Sequence, residues 1–475
     1  MSETTTSSAI ETHHVDIIAA SDRHGTARDL FPVWFSANLN VGNAFFGALA
    51  VVIGNNLFWA IVAVVLGNVA GAIFMSLHSI QGAKLGVPQL IQSRGQFGFY
   101  GAMLPIALAA FLYLGFFATT AVIGGQALSA AAPAVSLPIS IIVVSLVSLT
   151  LAVIGYRAIH VAAKWAMWPL AIAVVVVTVA SLVHGGFQVS MDGFKVGPFL
   201  TAFGLIATFL LTYAPYVSDY SRYLPENTRP VDAFKWTFAG AFLGTTWTML
   251  LGVLLAAQFD PNDMMASIGH LFGGGWIAAI ILLVTAVAVG GNNALNLYGA
   301  MLNLITAVTS FKQIKASMMV RIWMLLPTFV LGLLIALTAS ADFSANVSNF
   351  LSFLLLGFVP WGAVNLIDYY WVRKGAYKVE DFFNPRGVYY EDRATWTKFG
   401  INWQAIISYF VGVAFALPFM NNGWLKGPAA GLLGDADLSW IPGLIVTGLV
   451  YLLLTAKNRR TAPALGEPRK MEDAL

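Results

Sequence analysis

The sequence predicts an all-α integral membrane protein of twelve transmembrane helices, arranged as two inverted five-helix repeats with two extra C-terminal helices. Three observations lead there. First, 58% of the 475 residues are hydrophobic and only 10% are charged, with a mean hydropathy of +0.76. A soluble chain carries about 25% charged residues, so lipid must serve as the solvent for most of this one. Second, twelve runs approach or exceed the roughly 20 apolar residues that a spanning helix needs. Third, helix-breaking clusters interrupt the first and sixth runs, the leading members of two sets of five.

The runs fall near 31–52, 57–78, 100–128, 137–155, 161–184 and 199–219, then near 234–257, 276–308, 319–340, 346–370, 402–420 and 438–456. None alternates as a barrel strand would. The third and eighth are long enough to cross at a strong tilt. The division that follows is a tail at 1–30 and a core at 31–370 built from repeats at 31–184 and 199–370. A loop at 371–401, two accessory helices within 402–456 and a tail at 457–475 complete it. With the N-terminus placed in the cytoplasm, all of the 25 Lys and Arg residues except Lys195 and Lys426 fall on the cytoplasmic side. That asymmetry orients the chain, with both termini inside, in a plasma or inner membrane.

Composition also excludes. There is no cysteine, hence no disulfide or thiolate chemistry. A net charge of +3 is too small to point to nucleic acid. No Walker-type phosphate loop suggests an ATP-driven pump. No cofactor and no obligate protein partner is evident, and no paired carboxylates or metal-ligand cluster at membrane depth suggest an enzyme. A channel would need a continuous polar lining, whereas the polar residues here cluster in three spans.

The first span, FPVWFSANLNVGNAFFGALAVV, places Ser36, Asn38, Asn40, Gly42 and Asn43 in its middle. Amides and glycines can join neighbouring helices, but three asparagines and a glycine so close together predict an unwound segment. The sixth span carries Pro215 after Thr208, Thr212 and Tyr213. A repeat of five helices reverses orientation in its second copy, and interruptions at matching places in two inverted halves mark a transporter's site. The eighth span places Asn292, Asn293, Asn296 and Asn303 after Gly290 and Gly291. Asn292, Asn296 and Asn303 share one face of that helix. Amides in lipid need partners, which predicts a polar cavity. Asp219, Asp368, Arg157, His78 and His184 fall near span ends and read as anchors. No charge lies near the middle of a span, so the expected solute is small and neutral, hydrogen-bonded by amides and stacked on aromatic rings.

Several segments together resemble the nucleobase:cation symporters, in the purine–cytosine permease branch. They are FSANLNVGN, GAKLGVPQLIQSRGQFGFYGAMLP, LGFFATTAVIGGQAL, VSDYSRYLP, GGNNALNLYG and GFVPWGAVNLIDYYWVRKGAY, and the likeness runs over about 30–456. The resemblance implies the LeuT-type fold and inward transport of a nucleobase or related heterocycle with Na⁺ or H⁺. Carried over by position, it puts a stacking aromatic at Phe116, a polar neighbour at Tyr113 or Thr120, and the helix-six aromatic near Phe209 or Leu210, close to Thr212 and Tyr213. Substrate amides fall on Asn293 and Asn296, and the helix-one stretch on Ser36, Ala37, Asn38 and Asn40. A coupling cation would lie near Ala37, Asn40, Gly290 and Gly291, with Asp219 a marginal proton carrier. Phe116 stands where the family has Trp. Val289, Gly290 and Gly291 stand where sodium-coupled members have hydroxyls, which favours H⁺ over Na⁺. A hydantoin, allantoin or thiamine-like substrate is the alternative.

Overall fold

A computed structural model describes residues 16–311 and 318–456. Lys312, Lys315 and the 457–475 tail, used above for orientation, lie outside the described residues, as does the Arg157 side chain.

The first span is two helices, α1 (Leu30–Asn38) and α2 (Ala44–Val52), bent by 69° at the break. There follow α3 (Leu57–Leu85), the short α4 (Gln89–Phe97), α5 (Met103–Ala131), α6 (Leu137–Ile154) and α7 (Tyr156–His184). The sixth span is divided into α8 (Val196–Leu211) and α9 (Ala214–Ser221). Then come α10 (Pro230–Gln258), the short α11 (Met264–Leu271), α12 (Trp276–Thr309), α13 (Met318–Ala339) and α14 (Phe343–Ile367). The last two spans are α15 (Trp403–Ala416) and α16 (Trp440–Leu454). Counting each broken pair once, and leaving out α4 and α11, these make twelve apolar spans.

Several spans run further than hydropathy suggests. Helix α3 continues from His78 to Leu85 because Ser79, Gln81 and Gly82 are buried against α9 and α14 rather than solvated. Gly86, at φ +69°, then ends it in the left-handed conformation that glycine adopts readily. Helices α4 and α11 lie within stretches read as loops; QLIQSRGQF is too polar to register as an element, yet nearly all of it is buried.

Two helix groups frame the centre. In the first, each unbroken helix packs on the broken helix of the other half. Glycines set the spacing: a Cβ on Gly71 of α3 would lie 2.4 Å from the Ala207 carbonyl oxygen, and one on Gly252 of α10 would lie 1.8 Å from that of Ala44. Small residues let backbones approach this closely. In the second group, α12 lies along α5. The Tyr113 ring covers Gly299, and Ser148 of α6 donates to the Gly290 carbonyl at 2.8 Å. Exposed Ile280, Leu283 and Val287 of α12 form a lipid-facing stripe.

We call the side holding α4 and the 371–401 loop basal, and the opposite side distal. From Asp16 onward, the segment read as a tail is docked on the basal side. Ile18 donates its backbone N–H to Gly86, His24 its own to Tyr223, and the Arg23 guanidinium donates to the Ala83 carbonyl. The 371–401 loop carries a two-residue hairpin, β1 (Thr397–Lys398) with β2 (Ile401–Asn402). It is pinned by buried Asp368, which accepts from Tyr377 at 2.6 Å, Tyr451 at 2.7 Å and Arg373 at 3.1 Å. Burial, the largest single influence, would lower the Arg373 pKa, but Asp368 together with Tyr389, Tyr377 and Tyr451 outweighs it and raises the value.

Candidate functional site

The break between α1 and α2 is built by its own asparagines. The Asn38 side-chain nitrogen donates to the Trp34 carbonyl at 2.8 Å, closing α1. Asn40 turns extended (φ −137°, ψ 126°), and its side-chain oxygen caps the following turn through the Gly42 N–H at 2.8 Å. The Asn38 carbonyl accepts from the Asn43 side chain at 3.0 Å and from Thr248 of α10 at 3.2 Å. These bonds satisfy backbone groups that an unwound segment would otherwise leave bare in lipid. Asn38 and Asn40 are buried, whereas Ser36 and Ala37 lie on the open side of α1, away from the Leu30–Trp34–Asn38 stripe.

The second break is gentler. Thr212 and Tyr213 keep helical angles, Thr212 bonds back to the Phe209 carbonyl at 2.6 Å, and Pro215 sits in the first turn of α9, where its missing N–H costs nothing. The Tyr213 hydroxyl donates to the Asn38 side-chain oxygen at 3.2 Å, so the two breaks meet.

Around this junction runs a lane of aromatic rings. Tyr213 contacts Trp34, Phe209 and Tyr216, and Tyr216 stacks on Tyr113 at 5.8 Å and 28°. On the distal side, Phe116 meets Phe46, Phe209 and Phe350, and Phe46 meets Phe209 at 4.6 Å. The Phe116 and Phe209 rings are 6.2 Å apart at 80°, edge against face. A flat heterocycle between two parallel rings needs about 7 Å, twice a van der Waals contact. The expected stacking pair is therefore a closed distal plug in this conformation. A separate apolar cavity of about 260 Å³ lies beyond Phe350, between α5, α13 and α14.

Helix α12 stays unbroken through Gly290 and Gly291. Asn293 is fully buried and ties α12 to α5, its amide nitrogen donating to the Phe117 carbonyl at 3.0 Å. Its oxygen accepts from Asn296 at 3.0 Å, which fixes the half-buried Asn296 amide in place. Asn292 is exposed on the inner face of α12, opposite the lipid stripe. Thr120 is half-buried.

On the basal half of α7 several side chains are exposed. Ala163 of α7 shares a face with buried Leu170 and Val177, yet it is exposed, as are Val161, Trp165 and Trp168 around it. Ser36 and Ala37 of α1 and Asn292 of α12 are exposed as well. Two coupling candidates already have partners. The Gly290 carbonyl, inside a continuous helix, also accepts from Ser148. Asp219 accepts from the first N–H of α4, at Gln89, an anion at a helix N-terminus.

Trp34, Phe46, Tyr216 and Phe350 were not singled out from the sequence. Tyr216 carried a readable signal, a hydroxylated ring directly after the proline of an interrupted span. The phenylalanines carried none.

Comparisons with known proteins agree over nearly the whole chain. Residues 17–443 match the family model described as permease for cytosine/purines, uracil, thiamine and allantoin. YxlA of Bacillus subtilis, which carries a purine-cytosine permease name, is 37% identical over 94% of this chain and 96% of its own. The purine-cytosine permease fcyB of Emericella nidulans is 24% identical over 94% and 88%. Among solved structures, Mhp1, a nucleobase-cation-symport-1 family transporter with bromovinylhydantoin bound, superposes with a TM-score of 0.72 at 20% identity, covering 98% of this chain and all of that one. The inward-facing conformation of Mhp1 gives 0.73 at 19% identity, covering 99% and 98%. The fold is the LeuT-type arrangement of two inverted five-helix repeats with two further helices.

Proposed function

This chain belongs to the family of permeases for cytosine/purines, uracil, thiamine and allantoin, a family of transporters and not of enzymes, and from that premise we propose that it imports a neutral nucleobase, a purine or cytosine, by symport with H⁺. The observation that carries this reading is the Tyr213–Asn38 hydrogen bond, where two interrupted spans meet beside a lane of aromatic rings. Hydroxyl, amide and ring faces are what a planar, uncharged heterocycle requires, and none of these side chains carries a charge to hold an ionised solute. Asn296 supplies a further amide and Asn38 the hinge, while the substrate stacks on Phe116 when the distal rings part.

Proton coupling is supported by the lack of hydroxyls at Val289, Gly290 and Gly291, and by the Ser148 bond to the Gly290 carbonyl. Sodium would need several oxygens that remain free. We place the basal side in the cytoplasm, on the distribution of Lys and Arg. The protein would lie in the plasma or inner membrane.

The test is uptake of labelled cytosine, adenine and hypoxanthine into proteoliposomes under a proton or a sodium gradient. Saturable uptake of one base driven by protons alone is expected. Uptake driven only by sodium would overturn the coupling. Uptake of none of the bases, with uptake of a hydantoin, allantoin or thiamine, would move the substrate to the alternative class.

A further inference from the structure

His78 lies on α3, at the end that hydropathy assigns to that span's apolar run, and is fully buried. The other histidines whose side chains are described, His24, His184 and His270, are exposed. Nδ1 of His78 lies 2.8 Å from the Phe74 carbonyl. A carbonyl only accepts, so Nδ1 holds the hydrogen of the neutral ring, and Nε2 presents a lone pair. That atom is buried and has no hydrogen-bond partner in the protein. A buried polar atom left this way calls for an explanation. The ring lies flat on the indole of Trp361 of α14, with centroids 5.0 Å apart at 15°.

The charged and titratable groups on the surrounding elements are engaged elsewhere. On α9, Asp219 accepts from Gln89, and the Arg222 guanidinium, at the end of that helix, donates to the Asp16 carbonyl. Past the end of α14, Asp368 holds Tyr377, Tyr451 and Arg373, and the Tyr370 hydroxyl donates to the Leu77 carbonyl. On α4, Arg94 donates to the Phe382 carbonyl and to Ser310. On α3 itself, Lys84 donates to the Glu226 carbonyl.

Two helices connect this ring to the transport site. Ser218 of α9 donates to the His78 carbonyl, while Tyr213 and Tyr216, at the start of the same helix, belong to the aromatic lane. On α14, Phe350 closes the distal plug and Trp361 covers His78. Eleven residues separate them, three turns apart on one face of the helix.

We propose that His78 is the proton-binding site of the transport cycle: Nε2 takes up one proton, adding one positive charge against the Trp361 ring, and gives it up again at the other stage of the cycle. The proposal rests on the proton-coupled reading above. Because α9 meets the lane and α14 carries the plug, a charge between them acts on both helices.

The experiment uses the full-length protein in proteoliposomes, comparing accumulation driven by a pH gradient with counterflow exchange of preloaded base at equal pH. In His78→Gln, gradient-driven accumulation should collapse to equal concentrations on both sides, while exchange persists and loses its pH dependence. If His78→Gln still accumulates base against its gradient, the His78 assignment falls and proton coupling stands. If the wild type responds to sodium and not to protons, both fall. A wild-type measurement guards against a misfolded variant: carbethoxylation by diethyl pyrocarbonate, mapped by peptide mass. Modification of His78 that tracks loss of gradient-driven uptake supports the assignment. Loss of coupling with His78 unmodified overturns it.

Discussion

The hydroxyl of Tyr213 and the side-chain oxygen of Asn38 are 3.2 Å apart, and that single contact joins the interrupted spans of the two repeats. Any movement of one broken helix against the other must stretch or remake it.

Tyr213→Phe removes the donor and keeps the ring. The net value of a neutral hydrogen bond is about 0.5–1.5 kcal/mol, so substrate affinity should fall roughly 2- to 12-fold, with expression unchanged. Equilibrium binding or the KM of uptake reads this. Unaltered affinity would mean that the bond is remade without the tyrosine.

Asn296→Ala and Asn293→Ala should separate function from stability. Asn296→Ala should abolish uptake in a folded, membrane-inserted protein. Asn293→Ala leaves the Phe117 carbonyl without its side-chain donor, and thermal unfolding in detergent should show a loss of about 1–3 kcal/mol. Normal uptake by Asn296→Ala would remove that residue from the site.

Phe116→Ala opens the distal plug and takes away the expected stacking face. Binding should weaken by roughly 1–3 kcal/mol, the scale of burying one large apolar side chain. Wild-type affinity in this variant would move the stacking platform elsewhere.

Gly252→Ala should destabilise by about 1–3 kcal/mol, because its Cβ would lie 1.8 Å from a backbone oxygen that cannot move alone. Gly269→Ala is the control. Nothing lies within 4 Å of that Cβ, and alanine in a helix is favoured over glycine by about 0.5–1 kcal/mol. Melting temperatures of the pair should shift in opposite directions.

Asp437, in the loop before α16, is buried, and burial raises its carboxyl pKa. One side-chain oxygen accepts from both the N–H and the hydroxyl of Ser439. A carboxyl that holds its proton more tightly when folded stabilises the fold at low pH. That contribution fades as pH rises from about 4, the unfolded value, through the raised folded one. Asp437→Asn should therefore be at least as stable at neutral pH and show a flatter pH dependence of melting. A steep loss of stability in Asn would show that the anion is the form the loop needs.

The twelve spans were legible because lipid forces long apolar runs, and both breaks because Asn40, Gly42 and Pro215 are residues that helices tolerate poorly. The span ends were not legible. Ser79 and Gln81 look like a water-facing terminus, and only tertiary packing reveals them as buried contacts. For the same reason His78 read as an end residue. Helix α12 runs unbroken through Gly290 and Gly291, where close neighbours on α5 and α6 hold it. The distal plug was half legible: the family resemblance marked Phe116 and Phe209, whereas nothing local distinguishes Phe46 and Phe350 among 33 phenylalanines. The candidate site was legible as a set of spans more than as a set of contacts. Asn40 caps a turn, and Asp219 caps α4.

Asp368 and Tyr451 are 83 residues apart in the chain. The carboxyl belongs to the last stretch of the second repeat, and its hydroxyl donor to the final helix. A ribosome releases the acceptor first, so during synthesis this buried anion waits for a partner not yet made. The core therefore reaches its finished form only when the last helix arrives. In a nascent chain stalled before residue 451, this carboxyl would be held by Arg373 and Tyr377 alone.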